Sequence, residues 1–164
     1  MSLLLASDFD SLAVGDSFIT RGRTVTEADV VSFACLSGDM HPQHTDATWA
    51  ATSLFGERIA HGMLVASLAL GLLDFDPDRV VALRRVRDAV FKRPVAFGDT
   101  IHVAGRVDGV DPLDVATGLV GVRLDVQNQS GRTVVRLAVD VLWRRGDGAF
   151  PAIEEPFELS GLPI

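Results

Sequence analysis

Two side chains that can transfer protons, Asp39 and His44, lie five residues apart on one short polar segment. Pro42 stands between them and restricts the backbone there. A carboxylate and an imidazole on one short loop can act on a single water molecule, because one group can take a proton while the other supplies one. The pair therefore indicates general acid–base chemistry, such as the addition of water to a double bond conjugated with a carbonyl group. An Asp beside a Pro-containing loop can also be a simple turn residue.

A second polar feature, His61-Gly62, opens the apolar segment 61–73, which we expect to be a buried helix. The first amides of a helix have no partners inside it, and the helix dipole favours negative charge there. Gly62 has no side chain to obstruct an oxygen that approaches its N–H, so this amide is a candidate oxyanion donor. His61 could alternatively cap the helix.

Metal and thiol chemistry are not indicated by the sequence. His41 and His44 could contribute to a metal site, but no third ligand has convincing spacing, so we expect no metal and no cofactor. Cys35 is the single cysteine, which precludes an intramolecular disulfide, and no partner that could activate its thiol is apparent. A reducing, cytoplasmic setting fits this composition.

The bulk composition argues against several classes of partner. The net charge of −7 disfavours nucleic acid, whose binding depends on Lys and Arg that neutralise phosphates, and it disfavours an anionic membrane surface. The longest apolar run, 63–73, is shorter than the ~20 residues that span a bilayer. The N-terminus lacks the basic segment of a signal peptide. Hydrophobic residues make up 48% of the chain, enough for a sizeable core.

The remaining elements predict an α+β fold with one domain over residues 1–164. A strand over 17–24 precedes a helix that begins after Thr26 and ends near Gly38; a polar loop covers 39–46 and a short helix 46–53. Four strands at hairpin spacing follow, at 80–91, 100–110, 116–128 and 133–145. A curved antiparallel sheet wrapped around the helix 61–73 is the economical arrangement. The domain core is expected at about 13–145, with 146–164 as an irregular extension.

Several segments together resemble the MaoC-like dehydratase and (R)-specific enoyl-CoA hydratase family. They are SGDMHPQHTD (37–46), FG (55–56), IAHGML (59–64) and SL (67–68), and more weakly FKRPV (91–95) and GDT (98–100). The resemblance covers residues 13 to 145. It implies a hotdog fold, a homodimer or higher oligomer, Asp39 and His44 as the catalytic pair, and the Gly62 amide as oxyanion donor. It also implies reversible water addition to trans-2-enoyl-CoA or a carrier-protein thioester, giving the (3R)-hydroxyacyl product without a cofactor.

The chain departs from the family pattern at two positions. His41 stands where the family usually has Asn. We therefore expect His41, like His61, to hold the catalytic pair in place without acting on the substrate itself. Leu70 aligns with a Ser that some short-chain hydratases carry on the central helix. The acyl chain length therefore cannot be taken over from those members.

Basic residues are concentrated between 79 and 93, at Arg79, Arg84, Arg85, Arg87, Lys92 and Arg93. Lys92 and Arg93 in particular are candidates for binding CoA phosphates or an acidic carrier protein. A solvated strand face would have the same composition.

Two rival functions remain open from the sequence. A hotdog thioesterase is the first, although such enzymes typically place a carboxylate on the central helix, and residues 63–73 contain no acid. The second is a non-catalytic partner subunit of a heteromeric dehydratase, or an acyl-binding protein. Such subunits tend to lose the Asp or the His, and this chain keeps both.

Overall fold

The helix α4 (Gly62–Gly71) is built only from apolar residues, glycines and one serine, and it packs into the core through Leu64, Val65 and Ala69. It occurs where the sequence predicts a buried helix, with ends one and two residues shorter. The structure is a computed structural model that describes residues 3–146. Within that range no helix combines the length and the apolar character needed to cross a membrane.

Four long strands form the sheet that packs against α4. They are β3 (Val80–Phe91), β4 (Thr100–Pro112), β5 (Thr117–Gln127) and β6 (Thr133–Arg144). The order across the sheet is β1-β4-β5-β6-β3, where β1 is the short strand Ser17–Ile19, and every neighbouring pair is antiparallel. All four were predicted, with ends displaced by at most two residues. Together with α4 they confirm the hotdog arrangement of a curved antiparallel sheet around a central helix.

The register of the sheet aligns apolar side chains on the face toward α4. Val107 pairs with Val122, Val122 with Val139, and Val139 with Val86, so a row of valines crosses four strands. The first three are at most 2% exposed, whereas Val86, on the edge strand β3, is 48% exposed. Because side chains alternate between the two faces of a strand, the intervening polar residues lie on the opposite face.

The predicted strand 17–24 is instead two short segments, β1 (Ser17–Ile19) and β2 (Arg23–Thr24), both paired with β4. From Ile19 to Arg23 the chain advances four residues while its partners on β4 advance three, from Ala104 to Ile101. The extra residue interrupts the ladder, as in a β-bulge. In this interval the Thr20 hydroxyl accepts the bond from the Val103 N–H.

The helix α1 (Glu27–Ser37) begins and ends where the sequence predicts. Thr26 and Asp29 form a reciprocal capping box: the Thr26 hydroxyl accepts from the Asp29 N–H, and the Asp29 carboxylate accepts from the Thr26 N–H. Gly38 ends the helix with φ of 77°, a left-handed conformation that glycine adopts without strain. This ending directs Asp39 away from the helix.

Three further predictions need correction. The loop 39–46 contains a one-turn helix, α2 (Pro42–Thr45), which Pro42 starts at its first position. The predicted helix 46–53 is the shorter α3 (Ala47–Ala51), which Asp46 caps. The core begins before residue 13, because Leu5 and Phe9 are buried in it. The predicted extension lies outside the described residues from 147 onward.

Candidate active site

A cavity of about 560 Å³ lies at the N-terminal end of α4. Its walls are mainly apolar, and its polar side chains come from the loop after α1, from α2, from the start of α4 and from the segment after β3. The apolar lining is Phe33, Phe55, Ile59, Ala60, Gly62, Met63, Val65, Phe91, Pro94, Val95 and Val135, and the polar lining is Ser37, Asp39, His44, His61, Lys92 and Arg93. The predicted pair and the predicted helix start therefore share one cavity.

Asp39 is positioned by the end of α1. Its N–H donates to the Ser37 hydroxyl at 3.2 Å, and its Oδ1 accepts from the His41 N–H at 3.2 Å. In the isolated chain the carboxylate is 53% exposed, although it lines the cavity. The side chain is therefore held by its own loop and is open to water.

His44 is carried on α2, and one contact fixes its proton. Its Nδ1 lies 2.7 Å from the Ile59 carbonyl oxygen. A carbonyl oxygen only accepts hydrogen bonds, so Nδ1 must carry the hydrogen. In the neutral ring Nε2 is then the nitrogen with a free lone pair. Neutral His44 can thus accept a proton at Nε2.

His41 lies beside this pair and binds backbone. It is the N-cap of α2, where its Nδ1 accepts from the Gln43 N–H at 3.1 Å, and its ring meets Trp49 edge-on at 5.4 Å between centroids. The His41 side chain therefore supports the backbone of the loop that carries the pair. Its effect on activity stays a prediction.

A third group able to bind a metal, His61, lies near Asp39 and His44, which the sequence spacing does not indicate. One donor atom from each of Asp39, His44 and His61 lies within 4.8 Å of the other two. However, His61 Nε2 already lies 3.0 Å from the Asp39 carbonyl oxygen and must donate to it. A metal-bound histidine usually donates its other N–H to a partner. His44 has such a partner, whereas the buried His61 Nδ1 has none among the described residues. The three groups therefore fit a hydrogen-bonded cluster better than a metal site.

Gly62 is the first residue of α4, so its N–H has no partner within the helix. The N-cap residue, His61, makes no side-chain bond to the helix. The space where a side chain at Gly62 would lie is filled by Phe91: a Cβ there would be 2.8 Å from two of its ring carbons. A glycine at position 62 thus leaves room for the Phe91 ring to pack there. The sequence alone does not reveal this reason.

The basic residues of 79–93 do not form one patch. Arg85 and Arg87 face the buried Asp140 on the strand β6, at 3.1 and 2.8 Å, and Arg79 pairs with Asp8 at 2.7 Å. Lys92 and Arg93 instead line the cavity. Arg93 also donates to the Thr133 carbonyl oxygen. Of the six, these two are therefore placed to meet a ligand in the cavity.

Sequence reasoning missed the apolar wall of the cavity. Phe33 on α1, Phe55 in the loop after α3 and Val135 on β6 are far apart in sequence and converge only in the fold. Phe33 lies within the helix predicted between Thr26 and Gly38, but that position says nothing of the cavity. No local pattern separates an apolar residue in a cavity wall from one in a filled core.

Comparison with known proteins identifies relatives over most of the chain. The MaoC like domain family matches residues 10–129. The protein MaoC from Klebsiella aerogenes is 47% identical over 96 residues, which cover 58% of this chain and 29% of that protein. The chain thus spans less than a third of the length of this relative. An (R)-specific enoyl-CoA hydratase from Rhodospirillum rubrum is 34% identical over 109 residues, 66% of this chain and 75% of that protein.

A solved structure is similar to the chain over most of its length. A structure described as a monoamine oxidase regulatory protein, from Archaeoglobus fulgius, superposes with a TM-score of 0.80 and is 38% identical. The superposition covers 85% of this chain and 95% of the other. The likeness therefore extends through nearly all of the described fold.

Proposed function

The chain belongs to the MaoC-like domain family, and from this premise we propose that it adds water reversibly to trans-2-enoyl thioesters, giving 3-hydroxyacyl thioesters. The similarity to a relative named as an (R)-specific enoyl-CoA hydratase supports this reaction and the (3R) configuration of the product. The observation that carries the proposal is geometric: Asp39, His44 and Gly62 line one cavity, and the His44 tautomer leaves Nε2 free to accept a proton.

Asp39, His44 and the Gly62 amide each have a step in this reaction. Asp39 and His44 hold one water molecule between them, and the pair takes a proton from it as its oxygen bonds to C3 of the substrate. The electron pair of the C2=C3 bond moves toward the thioester carbonyl, and the Gly62 N–H stabilises the negative charge on its oxygen. The pair then returns a proton to C2. Both groups end in their starting states, and no cofactor or metal takes part.

The remaining lining residues suit the rest of such a substrate. Phe33, Phe55 and Val135 offer apolar contacts to an acyl chain. Lys92 and Arg93 would bind the phosphates of CoA, or of the phosphopantetheine arm of a carrier protein. Because the chain carries a net charge of −7, most of its surface repels an anionic thioester, and these two cations offer a place where the ligand is attracted.

The thioesterase alternative is less well supported. The central helix α4 contains no acidic residue, so it has no carboxylate to activate water against the thioester carbonyl. Cys35 is exposed on α1 and is not among the residues that line the cavity.

The test is to supply the purified protein with trans-2-enoyl-CoA esters of several chain lengths, without added metal or nucleotide. The expected result is loss of the conjugated enoyl thioester absorbance without release of free thiol. Thiol release without hydration would make the protein a thioesterase. No turnover of any ester would favour a partner subunit that needs a second chain.

A further inference from the structure

His61 is the most deeply buried polar residue at the cavity, with only 3% of its surface exposed. It precedes α4 as the N-cap, a position at which a side chain normally accepts a hydrogen bond from the first turn of the helix. The reaction proposed above gives it no direct step. Its contacts therefore need another explanation.

A second N-cap histidine in the same chain shows what His61 does differently. His41 and His61 have nearly the same backbone conformation, with φ and ψ of −54° and 134° against −58° and 135°. His41 caps its helix by accepting from the Gln43 N–H, whereas His61 makes no side-chain cap bond. The backbone of His61 therefore permits capping, and its ring makes other contacts instead.

Those contacts join the two proposed catalytic residues. His61 Nε2 donates to the carbonyl oxygen of Asp39, 22 residues earlier, at 3.0 Å. On its face the ring of His44 stacks at 3.7 Å between centroids and 27° between planes. The ring of Phe33 also packs against the His61 ring, with 5.1 Å between their centroids. A single buried ring thus fixes the backbone of one residue of the pair and the ring plane of the other.

We infer that His61 is a positioning residue, which sets the separation of Asp39 and His44 and acts in its neutral form with the hydrogen on Nε2. This inference rests on the proposed function of that pair. The neutral form follows from the contacts. Nε2 needs its hydrogen to reach the Asp39 carbonyl, and a second hydrogen on Nδ1 would be buried with no acceptor in the part of the chain that the structure describes. Because the side chain does not cap α4, it also leaves the first amides of the helix uncovered for a substrate oxygen.

Two substitutions separate the hydrogen bond from the ring. His61→Phe keeps an aromatic ring against His44 but removes the Nε2 donor, whereas His61→Gln keeps an amide N–H near the Nε2 position. Small displacements of catalytic groups cost up to about 100-fold in rate. For His61→Phe we expect kcat to fall about 10- to 100-fold with KM changed less than about threefold, and for His61→Gln we expect most of kcat to return. Equal activity in wild type and His61→Phe would overturn the inference.

A double substitution tests whether His61 acts through Asp39. If it does, the loss caused by His61→Phe should largely disappear in the Asp39→Ala background, because residues that act as a unit give non-additive losses. Full additivity of the two losses would show instead that His61 only supports the fold. Circular dichroism and thermal unfolding of each variant establish that the compared proteins are folded.

A measurement without substrate separates this inference from the proposed reaction. Long-range ¹H–¹⁵N spectra of the imidazole rings should show His61 as the neutral tautomer with hydrogen on Nε2, and His44 with hydrogen on Nδ1. A His61 with hydrogen on Nδ1 would refute the positioning contact even if hydration is observed. The expected tautomers in a protein that hydrates no enoyl thioester would refute the reaction and leave the contact standing.

Discussion

The ring of Phe91 occupies the position that a side chain on Gly62 would take, with two ring carbons 2.8 Å from the place of a Cβ. The contact joins the end of β3 to the first turn of α4, at the amide that we propose as oxyanion donor. Neither element could shift without changing the approach to that amide. The glycine is therefore required by its neighbour as well as by the substrate.

Gly62→Ala should lower kcat/KM for hydration by at least about 10-fold, because the added methyl group must displace the Phe91 ring at the mouth of the oxyanion site; the loss of a single oxyanion donor costs about 100- to 1,000-fold in a well-studied case. The measurement is steady-state hydration of an enoyl-CoA ester. Gly71→Ala is the matched control on the same helix, since nothing lies within 4 Å of a Cβ there. Equal activities in the two alanine variants would show that the Gly62 amide does not act as the oxyanion donor.

Asp39→Ala and His44→Ala should each reduce kcat by at least about 100-fold, since a general acid or base typically contributes 100- to 10,000-fold. Both side chains lie at the edge of the fold rather than in its core, so both variants should stay folded, which circular dichroism can check. An Asp39→Ala or His44→Ala protein with near wild-type kcat would show that the pair does not transfer protons in the rate-limiting step.

His41→Asn should keep most of the activity. The His41 side chain accepts from the Gln43 N–H at the start of α2, and Asn is among the best residues for that bond. His41→Ala should lose the bond and about 1 kcal/mol of the free energy of unfolding. The two variants are compared by hydration rate and by urea unfolding. A loss of kcat in His41→Asn as deep as that in His44→Ala would make His41 a direct participant in the reaction.

Local patterns were sufficient to predict the sheet, α1 and α4. Alternating valines and regularly placed turn residues marked the four strands, and the Thr26–Asp29 capping box marked the start of α1. These signals are local because each depends on residues within one or two turns of helix, or along one strand. The one-turn helix α2 was not predicted, since four residues give no periodicity to read.

That Asp39, His44 and Gly62 would lie together could be predicted from the sequence, whereas the contacts between the cavity residues could not. Asp39 and His44 are close in sequence, so their proximity in space follows from the loop. The bond of His61 to the Asp39 carbonyl joins residues 22 apart, and its direction depends on a rotamer rather than on spacing. The separation of the basic residues depends on strand register, which places Arg85 opposite Asp140 and leaves Lys92 and Arg93 beyond the strand end.

The capping box of α1 should make stability depend on pH in the acid range. Hydrogen bonds from the side chain and backbone of Thr26 lower the pKa of Asp29 below its ordinary value of 3.8. A carboxylate whose pKa is lower in the folded state stabilises the protein above the unfolded pKa, and this contribution is lost as pH falls through the folded pKa. Asp29→Ala should thus destabilise by about 1 kcal/mol at pH 7 and by progressively less below pH 3.8.

Urea unfolding at several pH values measures this difference. The exposed Asp78 provides the control, and Asp78→Asn should leave the free energy of unfolding unchanged. A difference between wild type and Asp29→Ala that stays constant down to the lowest pH would contradict the role of the ionised carboxylate.

Val86→Lys should convert a dimer into a monomer. The strand β3 is one edge of the sheet, and it exposes apolar side chains in the isolated chain, Val86 to 48% of its surface. An exposed apolar edge is a liability unless another chain covers it, so we expect two copies to join there. The cavity residues Met63 and Phe91 are also 58% and 48% exposed, and a partner at this edge would enclose them. Sedimentation velocity at micromolar concentration should therefore show a dimer for the wild type and a monomer for Val86→Lys. The Val86→Lys variant should also lose its hydration activity.

Ile19 supplies the control, because it is 71% exposed on the opposite edge strand β1. Ile19→Lys should remain dimeric and active. A wild-type protein that sediments as a stable monomer, or a Val86→Lys dimer, would place any interface elsewhere.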